Sequence, residues 1–259
     1  MMERVPFGLT MLGWALNEEE NIGGYIERAG ALLASLTEDF ELVLIDDGST
    51  DRTWAIVLEY QQTRPWLRAY RNETNRGSGY NTKRALGLAS KQYVFWQTVD
   101  WSYDITGLMA SLHLLERFDV LQGVRGNALT LTTIFAHRSD NPYKGLVSYV
   151  NYRLIRVLFR LPLSDYQNVT VYPRALIQGV TLETESSFTN AECLLKAWWR
   201  GATFKEVHVP FLRRERGTGT RPRAIVAAIR DILYWWGRWI VLGRRADDGR
   251  GHVAYVNEA

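Results

Sequence analysis

A single cysteine, Cys193, in 259 residues leaves no partner for an intrachain disulfide and nothing from which to build a Cys-rich metal centre. Histidine is also scarce. Four scattered residues (His113, His137, His208, His252) do not predict a histidine-built metal site. Lysine is rarer than arginine, 5 against 26. Internal repeats and low-complexity segments are absent, and a composition of 46% hydrophobic and 23% charged residues excludes disordered and collagen-like classes. The first nine residues hold no apolar run of signal-peptide length, which sets the expectation of a cytoplasmic protein.

What is present is unevenly spread. The formal net charge is +3, yet residues 213–250 contain ten arginines against Glu215, Asp231, Asp247 and Asp248, a local +6. That basic tail is expected to face something anionic: nucleic acid, a membrane surface or a phosphorylated substrate. No DNA- or RNA-binding motif accompanies the charge, so nucleic acid is not the expected partner. The length suits one α/β domain with a large core.

Strand and helix signals alternate through the first half. Residues 7–13 are apolar, and Ile22, Ile26, Ala29, Leu32, Leu33 and Leu36 then recur at helical spacing. Residues 40–45 (FELVLI) read as a buried parallel strand, which stops at Asp46-Asp47-Gly48-Ser49-Thr50-Asp51 before a helix containing Trp54, Val57 and Leu58. A strand at 67–70 leads through Gly77-Ser78-Gly79 into a helix over 80–90, and a fourth strand, 93–98, ends at Asp100. This pattern predicts an open, mostly parallel sheet flanked by helices, with a ligand crevice at the carboxyl ends of its strands. The second half predicts a strand over 119–124, helices over 143–161 and 186–200, a strand over 203–212, a basic glycine-containing loop over 213–223, and a final helix over 223–242.

On a helical wheel that last helix gathers Arg223, Arg230, Asp231, Tyr234, Gly237 and Arg238 within about 120°. Ile229, Ile232, Leu233, Trp235, Trp236, Trp239 and Ile240 lie opposite. Three mid-helix charges at roughly 2.5–3.5 kcal/mol each argue against spanning a bilayer. A helix lying in the membrane interface, with Trp235, Trp236 and Trp239 toward lipid, is one expectation. Packing on its own domain or on a second subunit is the other.

Four residue sets could carry chemistry. Asp46 and Asp47 end a buried strand, where a carboxylate can accept hydrogen bonds from a nucleobase or ribose, or can simply build a turn and cap a helix. Asp100, with Ser102 and Asp104, can hold Mg²⁺ or Mn²⁺ against a diphosphate, though Asp104 equally suits a helix cap. Trp101 beside them can stack on a ligand or pack. Arg125, Arg213, Arg214, Arg216, Arg221 and Arg223 offer guanidinium forks for phosphate. Glu192, an acid on an otherwise apolar helix, either points into a site or pairs with a base.

Together these segments resemble family 2 glycosyltransferases of the GT-A fold, nearest to the dolichol-phosphate mannose synthases and polyprenyl-phosphate glycosyltransferases. The resemblance covers about residues 9–221. It rests on Asn17-Glu18-Glu19-Glu20-Asn21-Ile22, on the stretch from Leu44 through Asp46-Asp47-Gly48-Ser49 to Thr53, and on Asn75-Arg76-Gly77-Ser78-Gly79. Gln122-Gly123-Val124-Arg125, FTNAECLLKAWWRG over 188–201, Glu206-Val207-His208-Val209-Pro210 and Arg214-Glu215-Arg216-Gly217 complete it.

By that resemblance Glu18, Asp46 and Asp47 hold the nucleoside, Gly77 opens the glycine segment, and Asp100 holds metal and diphosphate. Arg214, Arg216 and Arg221 close over the phosphates, while Arg125, Lys144 and Ser148 meet an acceptor phosphate. Three departures stand out: Thr98 replaces the first Asp of the metal motif, Trp14 and Leu16 replace a usual Pro and Tyr, and Gly219-Thr220-Arg221 replaces a Ser-Lys pair.

The implied activity is inverting transfer of a sugar from a UDP- or GDP-linked donor to a polyprenyl phosphate. The implied location is the cytoplasmic face of a membrane, by a peripheral protein and possible homo-oligomer whose catalytic domain is 1–221 and whose basic helix and tail are 222–259. An anionic acceptor needs no strong general base. A hydroxyl acceptor would need one, with Glu192 or Asp104 as candidates, and the Thr98 departure also motivates a non-catalytic nucleotide-sugar-binding scaffold.

Overall fold

The computed structural model describes residues 3–125, 142–186, 188–212 and 222–243. Strands β1 (Leu9–Ala15), β2 (Phe40–Asp46), β3 (Leu67–Arg71), β4 (Tyr93–Trp96), β5 (Val120–Val124), β6 (Thr170–Pro173) and β7 (Phe204–His208) form one sheet in the order β3-β2-β1-β4-β6-β5-β7. β3, β2, β1 and β4 are mutually parallel, and β6 runs antiparallel to both β4 and β5, which makes the sheet mixed. The helices are α1 (Ile22–Leu36), α2 (Thr53–Thr63), α3 (Ser78–Leu88), α4 (Thr106–Ala110), α5 (Pro142–Phe159), α6 (Arg174–Gln178), α7 (Thr189–Trp199) and α8 (Pro222–Trp236). A π turn over Gly237–Val241 continues α8.

β2 is buried nearly throughout, as its continuous apolar run requires of a strand covered on both faces. α1 turns Ile22, Tyr25, Ile26, Ala29, Leu33 and Leu36 inward, the helical period read in the sequence. At the amino end of the strands the Glu41 carboxylate is buried. It accepts from Thr10 Oγ1 (2.7 Å), Arg68 (2.8 Å) and the Ser90 N–H, and so ties β1, β2 and β3 to the start of β4.

Three expectations are corrected in the second half. β6, only four residues long, sits between β4 and β5 where no strand was expected. α7 begins at Thr189, because the residues before it form a loop around the Glu192 carboxylate. β7 ends at His208, after which residues 209–212 cross to the other loops through Asp104 N–H to the Pro210 carbonyl and Leu212 N–H to the Ser102 carbonyl.

The final helix packs on this same body. Ile232 and Trp239 are buried in the common core, and Trp235, Trp236 and Ile240 are partly buried against it. Trp239 therefore does not face lipid. Its indole lies among Phe159, Phe188 and Trp199, with ring centroids 5.8–6.1 Å away. No helix among the described residues is long and apolar enough to cross a membrane.

Candidate active site

The carboxyl ends of β1, β2 and β4 open on one crevice, built from loops that hold one another. After β1, Asn17 adopts a left-handed conformation (φ 55°). Its N–H donates to Ser49 Oγ (2.9 Å), and its side-chain oxygen accepts the Thr50 N–H (2.9 Å). Glu18 N–H donates to Thr53 Oγ1, Glu19 N–H donates to Asp51, and Glu19 in turn accepts the Arg52 N–H. The Glu18 carboxylate is half-buried at the crevice edge and accepts from the Asn21 amide.

The two aspartates after β2 have different duties. Asp47 is engaged by the loop before α3. Its oxygens accept the Asn72 amide (2.7 Å), the Arg76 N–H (2.8 Å) and the Gly77 N–H (2.9 Å), so it shapes the loop before α3 rather than offering a free acceptor to a nucleoside. Gly77 has φ 83°, a conformation that a side chain would strain. Gly79 is required by proximity, since a Cβ there would lie 2.3 Å from the Glu185 carbonyl carbon.

Asp46 is buried, and neither of its carboxylate oxygens accepts a hydrogen bond. Arg71 Nε stands 3.0 Å from Oδ2 as an ion pair, while another nitrogen of the same guanidinium donates to the Ser49 carbonyl. A buried carboxylate with both oxygens lacking donors carries the desolvation cost of that burial until a ligand supplies an N–H or O–H. Arg71, unnoticed in the sequence, shares this corner. The signal available was its place at the end of a strand next to β2.

Asp100 is exposed beyond β4, and its Oδ1 accepts from the Ser102 N–H (3.2 Å). Thr98 Oγ1 accepts the same N–H at 3.1 Å, so the residue replacing the usual carboxylate is drawn into the turn. Trp101, next in the chain, has φ 48°, a costly conformation for a bulky residue, which fixes the direction in which Asp100 leaves the strand. Its ring packs beneath the Arg28 guanidinium (4.1 Å) and is not presented to a ligand. Asp104 accepts the Thr106 N–H (3.1 Å) at the start of α4, and the Thr106 hydroxyl, followed by that N–H, holds its pKa below the usual carboxylate value.

No cluster of three or more His, Cys, Asp or Glu suited to a metal exists among the described residues. A single exposed carboxylate nevertheless fits Mg²⁺ or Mn²⁺, ions that keep several waters and take their remaining ligands from a diphosphate.

Beside these loops lies a cavity of about 180 Å³. Trp14, Trp96 and Tyr103 supply aromatic walls, with the two indoles 6.1 Å apart, and Ser78, Thr82, Gln167 and Asn190 supply hydroxyl and amide groups. Its described lining contains no carboxylate, imidazole or amine. Glu192, a candidate base, does not reach it. That carboxylate is fully buried and accepts the Glu183 N–H (2.7 Å), the Thr184 N–H (2.9 Å) and the Thr184 hydroxyl (2.6 Å), with Lys196 Nζ at 3.0 Å.

Arg125 is likewise committed. It grips Asp165 with both arms of its fork, at 2.6 and 2.7 Å. Burial disfavours the guanidinium charge, but Asp165 outweighs it and raises the pKa. A phosphate meeting Arg125 would therefore meet a neutralised pair. Arg214, Arg216 and Arg221 lie outside the described residues, as do the side chains of Lys144 and Ser148.

Comparison with known proteins agrees with this geometry. A dodecaprenyl-phosphate galacturonate synthase of Rhizobium johnstonii is 28% identical over 184 residues, covering 68% of this chain, which spans about half (51%) of that relative's length. Glucosyl-3-phosphoglycerate synthase of Mycobacterium tuberculosis, solved with Mn²⁺, UDP and phosphoglyceric acid, superposes with a TM-score of 0.61 at 18% identity, over 88% of this chain and 78% of that one. A mannosyltransferase of Pyrobaculum calidifontis, solved with GDP-mannose and Mn²⁺, gives 0.57 at 15% identity, over 88% and 70%. Both share the GT-A architecture seen here. The sequence profile described as Glycosyl transferase family 2 matches residues 14–170, and with more than half of its length so matched the chain belongs to that family.

Proposed function

We propose that this chain transfers a sugar, with inversion, from a nucleoside-diphosphate donor to a polyprenyl phosphate at a membrane surface. The observation that carries the choice of acceptor is the state of Glu192. The acid best placed in sequence to serve as a base is sealed in hydrogen bonds and an ion pair, and Asp104 is spent on a helix start. A hydroxyl nucleophile would have to shed its proton to some other group. A phosphate oxygen arrives already anionic and needs only orientation. The 28% identity to a dodecaprenyl-phosphate galacturonate synthase supports the same acceptor class.

In this reading Asp46 accepts the imino N–H of a uracil or guanine, with Arg71 beside it as donor to the neighbouring carbonyl. Trp14, Trp96 and Tyr103 bound the sugar by apolar contact, and the hydroxyl and amide groups opposite orient it. Asp100 would hold a divalent cation that arrives with the diphosphate and supplies charge neutralisation to it. Arg214, Arg216 and Arg221 are proposed as the phosphate-closing set and Lys144 and Ser148 as the acceptor side, while Arg125, neutralised by Asp165, is assigned no phosphate.

The deciding experiment incubates the protein with radiolabelled UDP- and GDP-sugars, Mn²⁺ and undecaprenyl phosphate, then extracts into organic solvent. Label in the lipid phase, lost with Asp100→Ala, is the expected result. Label only in a water-soluble acceptor from a cell extract would establish the hydroxyl-acceptor reading instead. Donor binding without transfer to either would leave a nucleotide-sugar-binding scaffold.

A further inference from the structure

The solvent side of α8 is not polar. Ile232 and Trp239 point straight into the core, and on a wheel of ~100° per residue the direction opposite them is centred on Arg230. About 100° of arc there carries Leu233, Val226, Gly237, Arg230, Val241 and Tyr234. Val226 is 68% exposed, Val241 61%, Tyr234 59% and Leu233 47%, and Leu242 at the end of the π turn is 61% exposed. Five of the ten large apolar side chains exposed among the described residues thus lie on this helix and its continuation. Two more, Val150 and Val157, lie on α5, which meets α8 through the Phe159 and Trp239 rings. Arg153 and Arg160 are exposed alongside those valines.

We infer that this valine, leucine and tyrosine stripe, with Arg230 at its centre, is a docking surface for an anionic lipid bilayer. The tryptophan side of the same helix belongs to the protein core. Helices that lie in the interface combine an apolar strip with arginines whose stems follow the acyl boundary while their heads meet phosphate. The Arg230 side chain is 79% exposed, and its nearest acid, Asp231, stands 4.0 Å away off the arc, so the stripe presents net positive charge. A second copy of the chain fits less well. A two-fold pairing through this stripe would set its central arginine against the same arginine-centred surface. Continuous apolar strips of this kind are uncommon on surfaces that face only water.

The inference takes its purpose from the lipid-acceptor reading, while its observation stands independently, and the test separates the two. Flotation is compared on vesicles of phosphatidylcholine alone and with one-third phosphatidylglycerol. Wild-type protein should partition to the anionic vesicles, and the triple variant V226S/L233S/V241S should bind about ten-fold or more weakly. Arg230→Glu should weaken binding to anionic vesicles more than to neutral ones. The triple variant should still transfer sugar to a short-chain, water-soluble prenyl phosphate, because none of its three residues lines the described cavity. Unchanged flotation of the triple variant would overturn the surface. A wild-type dimer in solution that the variant dissociates would also overturn it, in favour of a second copy. Vesicle binding without transfer to any prenyl phosphate would leave the surface intact and remove the acceptor reading alone.

Discussion

The indole N–H of Trp239 donates to Glu183 Oε2 at 2.7 Å, and Lys196 Nζ reaches the same carboxylate at 3.0 Å. Glu183 belongs to the loop that runs to Ser186 and Thr189 on the cavity wall, so the end of the C-terminal helix is wired to the rim of the cleft. Lys196 also sits 5.3 Å from the Trp239 ring and pairs with Glu192, and Arg238 approaches Glu183 at 3.5 Å from the outer side, so the junction joins two acids, one amine, one guanidinium and one indole.

Trp239→Phe removes the donor while keeping most of the packing. It should destabilise by about 1–3 kcal/mol, since Glu183 loses a buried partner. Trp239→Ala should cost about 3–5 kcal/mol through the cavity it opens. Urea midpoints of the two variants and the wild type check this; a Trp239→Phe midpoint equal to wild type would show that packing alone holds the helix down.

Asp46→Ala should lower nucleotide affinity by roughly ten-fold to a hundred-fold, the worth of hydrogen bonds to a charged group, without lowering the melting temperature. Asp47→Ala should do the reverse in emphasis. With Asn72, Arg76 and Gly77 released, the variant should melt earlier, by about 2–3 kcal/mol of stability. Calorimetric titration with UDP and GDP beside thermal melts separates the two aspartates, and identical profiles would refute the division of labour.

Glu192→Gln should retain transfer with an unaltered pH–rate profile while losing stability, because breaking a buried pair typically costs about 3–5 kcal/mol. Rates measured well below the melting point make the comparison fair. A kcat that collapses in a folded variant would return Glu192 to a catalytic role.

Acid stability should depend on Glu41. Burial alone would raise its pKa, but hydrogen bonds from Arg68, Thr10 and Ser90 prevail and hold it below its ordinary value of 4.5. A carboxyl whose folded pKa is depressed contributes stability that is present above its unfolded pKa and is lost as pH falls through the folded value. Glu41→Gln should therefore be less stable at neutral pH and show a shallower loss of stability below about pH 4.5 than wild type. Denaturant titrations at stepped pH provide the measurement.

Much of the donor side was legible because its signals are local. The apolar run of β2 ends in an Asp-Asp-Gly-Ser turn, and the glycines before α3 mark an unusual φ and a close approach, each readable within a few residues. The division between Asp46 and Asp47 was not legible, since it depends on Asn72, Arg76 and Gly77 arriving from another loop. The fate of Glu192 hung on Thr184 and Lys196, and that of Arg125 on Asp165, forty residues away. β6 escaped notice because four residues between longer elements carry too little periodicity. The wheel of α8 grouped the tryptophans correctly but left two destinations open and placed Leu233 with them: tryptophans suit a protein core as well as a bilayer interface, and only the buried Trp239 and the exposed Leu233 and valines distinguish the two sides.

The reciprocal stitching of residues 17–19 to residues 49–53 bears on how a nucleotide would be received. Each loop satisfies the other's backbone groups, so the receiving edge is ordered when the chain folds rather than when the ligand lands. Ordering a flexible side chain or loop on association typically forfeits about 0.5–1.5 kcal/mol per group. Here that loss is settled in advance. The nucleoside should therefore dock with a small entropic penalty and a fast, nearly rigid encounter.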